Sequence, residues 1–135
     1  ARIVHYDWAF DEAMFKTVMD RARKDAEKIG SRIILVFLPH KFTYCSAYFG
    51  ELNDRCKRGQ EGYSKVAFLD EVSRVAQELA IPLIDFGAYL DRDSDPGRIF
   101  SFPGSHYNET GYRVLAEYVQ RVLAEKYPNS AQGLK

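Results

Sequence analysis

The order of elements along these residues predicts an α/β fold, a three-layer sandwich of helices about a small parallel sheet. Three observations predict it. Stretches of helical apolar spacing alternate with short β-branched runs. The longest apolar run, Ile33 to Leu38, is six residues without polar alternation, the pattern of a strand covered on both faces. The length of 135 residues suits one domain, and 46% hydrophobic with 28% charged residues is a globular composition.

Ile3–Tyr6 is a short candidate edge strand. From Asp11 to Ile29, apolar residues at Phe15, Val18, Met19, Ala22, Ala26 and Ile29 form one helical face, and Gly30 holds the C-terminal cap position. Arg32–Leu38 follows as a strand stopped by Pro39. A polar loop runs from His40 to Tyr63, long for a compact domain, and such loops tend to carry function or motion. Ser64 is placed to cap a second helix whose Val66, Leu69, Val72, Ala76 and Leu79 share a face. Ala80–Phe86 reads as a second strand, with Pro82 near its entry. A loop rich in Asp, Ser, Gly and Pro reaches Tyr107. Asn108 then caps a last helix, with Tyr112, Leu115, Ala116, Val119 and Val122 facing inward.

Residues 1–127 are thus expected to form one α/β domain with right-handed crossovers, and 128–135 a frayed tail. The chain opens on Ala1, and two secure strands are few for such a layer. The pair is expected to be part of a larger sheet, its other strands lying upstream in a parent chain or in a partner. An open edge on so small a sheet also predicts self-association.

Nineteen basic residues balance nineteen acidic ones, which removes the electrostatic footprint of a non-specific nucleic-acid binder. No apolar run approaches the length of a membrane span, and the first residues lack the pattern of a cleavable signal peptide. Cys45 and Cys56 lack zinc-ligand spacing, so they form either a disulfide or two free thiols, according to compartment. No metal site and no Gly-rich phosphate loop is read from any segment. The basic run Arg21-Ala22-Arg23-Lys24 is interleaved with Asp20, Asp25 and Glu27, as on a solvated helix face.

Open parallel sheets bind ligands outside the carboxyl ends of their strands. His40 and His106 fall in the two loops that leave such ends, while His5 lies near the start of the chain. An imidazole in the loop entering the last helix is partly solvated and suited to general-base chemistry, provided a hydroxyl lies within reach and a carboxylate fixes its tautomer. The plainer role for such a histidine is to shape the turn. His40 and Lys41 line the same cleft or form a basic surface loop. Tyr44, Tyr48 and Phe49 offer an aromatic wall for a sugar ring, or pack their own loop down. Ser46, Ser94, Ser101 and Ser105 lie in the two loops, but none sits on a strained strand-to-helix elbow.

The segment Phe102-Pro-Gly-Ser-His-Tyr-Asn-Glu-Thr-Gly-Tyr-Arg-Val-Leu-Ala-Glu-Tyr-Val119 resembles the last conserved block of the SGNH (GDSL-type) hydrolases. In that family a catalytic His is followed by Asn or another polar residue, a Gly and an amphipathic terminal helix. Element order from about residue 11 to 125 is similar as well, though only His-Tyr-Asn-x-x-Gly is motif-like. The resemblance implies an SGNH-like, flavodoxin-like layer arrangement. It also implies ester hydrolysis or O-acyl transfer on an acylated carbohydrate or other small-molecule or lipid ester, without metal or organic cofactor. His106 maps onto the general base, and His40, Tyr44 and Asn108 are placed to touch substrate.

This sequence departs from the family in three ways. It has no Gly-Asp-Ser, so the nucleophilic serine is expected outside this chain. The Gly and Asn blocks that supply the oxyanion hole are missing with it, and such donors are a large catalytic term. The two positions where a carboxylate partner would precede the histidine hold Pro103 and Gly104, which leaves Asp95, or Asp93, to orient His106 from earlier in the loop. On its own the chain is expected to be inactive. The alternative expectation is a non-catalytic α/β binding or structural module derived from the same fold. A small flavodoxin-like ligand-binding domain ranks behind both, for want of a phosphate-cradling loop.

Overall fold

A computed structural model describes residues 10–40, 68–101 and 106–128. Its elements are mixed α/β: four α-helices, a 3₁₀ turn and two parallel strands among the described residues. These residues gather into two compact units, one made of 10–34 and 68–82, the other of 35–40, 83–101 and 106–128.

The first unit is a helix pair. Helix α1 (Glu12–Lys28) starts where the Asp11 carboxylate accepts the Met14 N–H at 2.9 Å. It ends in a turn where Gly30 takes a φ of 71°, the left-handed conformation that the sequence predicts of a glycine there. The apolar face of α1 is less covered than its spacing predicts. No residue of the helix is buried; Phe15, Met19, Ala22 and Ala26 are half-buried, while Val18 is 58% exposed. The polar face is laced as predicted: Arg23 pairs with Asp20 at 2.8 Å and Glu27 at 2.7 Å, and Lys24 with Asp20 at 2.6 Å. Solvent screens pairs of this kind, so they contribute little to stability.

Helix α2 (Leu69–Glu78) buries Val72, Val75 and Ala76 and packs on α1. Lys16–Glu78 and Glu12–Arg74 ion pairs, at 2.8 and 2.6 Å, tie the two helices together. Phe10 stacks on Phe68, centroids 5.1 Å apart, and meets the tilted ring of Phe15 at 5.3 Å. Ile3–Tyr6, the predicted cap Ser64, both cysteines and the predicted tail beyond Pro128 lie outside the described residues. Phe68, at the start of α2, makes no side-chain cap.

The second unit holds the sheet. Strands β1 (Leu35–Phe37) and β2 (Leu83–Asp85) run parallel, with Leu35 opposite Leu83, Val36 opposite Ile84 and Phe37 opposite Asp85. The Phe86 N–H donates to the Phe37 carbonyl at 3.1 Å and carries the pairing one step further. Both strands are shorter than predicted. Cover on both faces of the first is also not found: Val36 and Leu38 are 38% and 44% exposed, while Ile84 is buried.

Between β2 and Tyr107, where the sequence predicts an unbroken loop, the chain forms helix α3 (Gly87–Leu90) and a 3₁₀ turn over Pro96–Ile99. The Asp85 carboxylate holds the first of these by accepting the Gly87 N–H at 2.8 Å. Phe86, Leu90, Ile99 and Phe100 point inward from this stretch and form the core cluster with Val114. Their spacing fits neither helix nor strand, which is why a periodicity reading passes over them.

Helix α4 (Glu109–Lys126) turns Gly111, Val114 and Val122 inward, with Leu115 and Tyr118 against the cluster. Val122 and Leu115 agree with the predicted face, but Tyr112 is 55% exposed and Ala116 is exposed. The face is rotated because Gly111 rests on the 3₁₀ turn, and a glycine leaves no mark in an apolar pattern. Among the described residues, no helix is long and apolar enough to cross a membrane.

Candidate active site at the carboxyl end of the strands

Phe100 and Tyr107 form an antiparallel bridge. It is flanked by the Ser101 N–H donating to the His106 carbonyl at 2.8 Å and the Asn108 N–H donating to the Ile99 carbonyl at 2.9 Å. Residues 99–101 and 106–108 therefore run together as a narrow ribbon. The Tyr107 hydroxyl donates to the Pro39 carbonyl at 2.8 Å, just past the end of β1 and one residue before His40. This bond draws the His40 and His106 segments to one place, at the strand ends where open parallel sheets take their ligands.

Burial pushes the Tyr107 phenol above its ordinary range, so it remains a proton donor to Pro39. Its ring is fixed by Phe100 and Phe86, at centroid distances of 5.1 and 5.9 Å. Nothing in the spacing of the loop singles out Tyr107; the only signal is an aromatic residue between a histidine and a capping asparagine.

The members of the motif His-Tyr-Asn-x-x-Gly divide into separate tasks. Asn108 caps α4 by accepting the Gly111 N–H at 2.9 Å. Its amide donates to the Arg98 and Phe100 carbonyls at 2.8 and 3.1 Å. With both ends bonded to backbone, Asn108 closes the ribbon onto the helix. Gly111 is required sterically, because a Cβ there would run into the Ile99 carbonyl and lie 3.1 Å from the Ile99 Cβ. Tyr107, Asn108 and Gly111 thus all serve the fold. His106 is exposed, and its imidazole forms no hydrogen bond or ion pair among the described residues.

The Asp93 and Asp85 carboxylates are engaged elsewhere. Asp93 is mostly buried, pairs with Arg98 at 2.7 Å and accepts the Asp95 N–H at 2.9 Å. Asp95 is exposed and is not bonded to His106, so the predicted orienting pair is not formed. The Asp85 carboxylate accepts the Gly87 N–H at the start of α3, and the Asp85 carbonyl accepts the Tyr118 hydroxyl at 3.3 Å. His40 is exposed directly after the buried Pro39. Ser94 is exposed and Ser101 half-buried, and neither is bonded to the His106 ring. Tyr44, Lys41, Tyr48, Phe49, Ser46 and Ser105 lie outside the described residues.

Among the described residues no three His, Cys, Asp or Glu side chains gather closely enough to hold a metal ion. A hollow of about 490 Å³ in the helical unit, lined by Arg23, Glu27, Arg32 and Pro82 among others, contains none of the predicted site residues. Comparison with protein-family models, with curated proteins and with solved structures returns no match for this chain.

Proposed function

We propose that this chain carries the general-base portion of an SGNH-type ester hydrolase or O-acyltransferase, with His106 as the base and the nucleophilic serine on a segment outside it. One observation carries the reading. In a motif whose Tyr, Asn and Gly are spent on tether, cap and close packing, the exposed His106 side chain makes no hydrogen bond or ion pair among the described residues, and the ribbon that carries it is tethered to Pro39 just past β1. An exposed imidazole on an anchored ribbon suits proton transfer, since the backbone is fixed while the ring stays accessible.

In the proposed reaction the imidazole takes the serine hydroxyl proton as Oγ attacks the ester carbonyl. The ester C–O bond then breaks, and the alkoxide leaves with the proton from the imidazolium. Water, or an acceptor hydroxyl, repeats the sequence to release the acyl group. The substrate class is an acylated carbohydrate or a lipid ester. The same reading makes β1 and β2 two strands of a larger parallel sheet in a three-layer, flavodoxin-like sandwich. Val36 and Leu38, exposed on one face of β1, support a further layer over that face of the sheet.

The second reading is a non-catalytic binding module derived from this fold. It is favoured by one specific observation, that neither Asp95 nor Asp93 orients the His106 ring. Fluorophosphonate labelling of a polypeptide spanning this segment and its upstream sequence separates the two. The catalytic reading expects a labelled serine upstream and loss of label in His106→Ala. Equal labelling in His106→Ala, or no labelling of a folded polypeptide, transfers the case to the binding module.

A further inference from the structure

We propose that the cleft between the 89–98 segment and helix α4 is a binding site for a phosphoryl group, independent of the esterase reading. The cleft has a volume of about 420 Å³ and is lined by Tyr89, Arg92, Asp93, Ser94, Arg98 and Arg121. That volume lies within the range of roughly 300–1,000 Å³ typical of small-molecule sites. Three guanidiniums face one carboxylate, which leaves an excess of two positive charges in one concave space. This is the charge of a phosphate monoester dianion with its sign reversed.

Two of the three arginines are held by a neighbour, Arg121 by an aromatic ring and Arg98 by the Asp93 carboxylate. Arg121 lies over the Tyr118 ring, 5.5 Å from its centroid. Tyr118 packs on Tyr89 at 5.4 Å, and Tyr89 stacks on the buried Phe86 at 5.5 Å with an interplanar angle of 4°. A π face orients a guanidinium but accepts none of its N–H groups in the plane, so the donors of Arg121 remain available. Arg98 gives one nitrogen to Asp93 at 2.7 Å, and the rest of its fork makes no bond among the described residues. Arg92 makes no ion pair among the described residues. Ser94 adds a hydroxyl. Three guanidiniums, a hydroxyl and a tyrosine ring lining one cleft suit the oxygens of a phosphoryl group and the organic group attached to it.

The test is isothermal titration of the chain with inorganic phosphate and, separately, with glucose 6-phosphate, at constant ionic strength. Saturable binding is expected. Arg92→Gln and Arg121→Gln should each weaken it about tenfold, the effect of removing one charge-assisted donor. Arg113→Gln, an exposed arginine of α4 that does not line the cleft, should leave it unchanged. Circular dichroism of each variant confirms the fold. Tighter binding of the sugar phosphate assigns the site to phosphomonoesters, and tighter binding of the free anion assigns it to phosphate. Absence of saturation with both ligands overturns the proposal. So does an equal loss in Arg113→Gln, which would reduce the effect to general surface charge.

Discussion

The Tyr107 hydroxyl donates to the Pro39 carbonyl at 2.8 Å, across 68 positions of sequence. That single bond fastens the ribbon carrying His106 to the chain leaving β1. Tyr107→Phe keeps the ring among Phe86 and Phe100 and removes only the donor. It should lower stability by about 1 kcal/mol, the usual worth of such a bond, seen as a lower midpoint in urea. An unchanged midpoint would show that the tether contributes nothing to the fold.

Asn108 serves two neighbours at once, so its variants should fall in order. Asn108→Ala loses the cap and both amide donors, a cost of about 2 kcal/mol. Asn108→Asp keeps an acceptor for the Gly111 N–H but no donor for the Arg98 and Phe100 carbonyls. It should recover part of that loss, because the cap survives and a negative charge suits a helix N-terminus. Thermal denaturation of wild type and the two variants gives the order directly. Full stability in Asn108→Asp would mean that the amide contacts are worth nothing.

Gly111→Ala sets two effects against each other. Within a helix, alanine is favoured over glycine by about 1 kcal/mol. Here the new methyl meets the Ile99 carbonyl, which belongs to the buried 3₁₀ turn and has little freedom to withdraw. Overpacking of this kind costs roughly 1–3 kcal/mol or more. Net destabilisation is therefore expected in a denaturation curve, against the sign that helix propensity alone would give.

The Lys16–Glu78 pair gives a pH prediction. The hydrogen bond from Lys16, reinforced by its charge, holds the Glu78 carboxyl below its ordinary 4.5. A depressed carboxyl contributes stability above its unfolded pKa and loses it as pH falls through the folded value. Lys16 is shifted upward by the same partner, so its contribution is lost only as pH rises past the ordinary lysine range. Wild type should therefore exceed Lys16→Met in stability at pH 7. The gap should narrow progressively below about pH 4.5 and be absent near pH 2. Both groups are exposed, so added salt should shrink it too.

What the sequence made legible follows from local chemistry. Gly30 and Asn108 mark helix ends because a cap needs a particular side chain or a particular φ, and both requirements act within a few residues. The parallel pair was legible from its β-branched runs, although the true strands are trimmed to three residues each. Three features were not legible. The 87–99 stretch folds around Phe86, Leu90, Ile99 and Phe100, whose meeting with Val114 depends on distant chain. The inward face of α4 is set by a glycine against a carbonyl, a contact of backbone rather than of apolar side chains. The candidate site was legible only in part: His106 could be singled out by its motif, whereas its tether through Tyr107 could not.

The 68-position reach of the tether also orders the assembly of the sheet unit. The ribbon, with Phe100 against Tyr107 and Asn108 on its own helix, closes over a handful of residues and can form early. Fastening it to Pro39 requires a far larger loop to close, and the entropy of that closure is lost before the bond forms. The clasp therefore belongs late, after the barrier to folding. A late contact leaves the folding rate alone and governs the rate of escape. Tyr107 is in this sense a latch on the native state: without its hydroxyl, the histidine segment should come away sooner while refolding no more slowly.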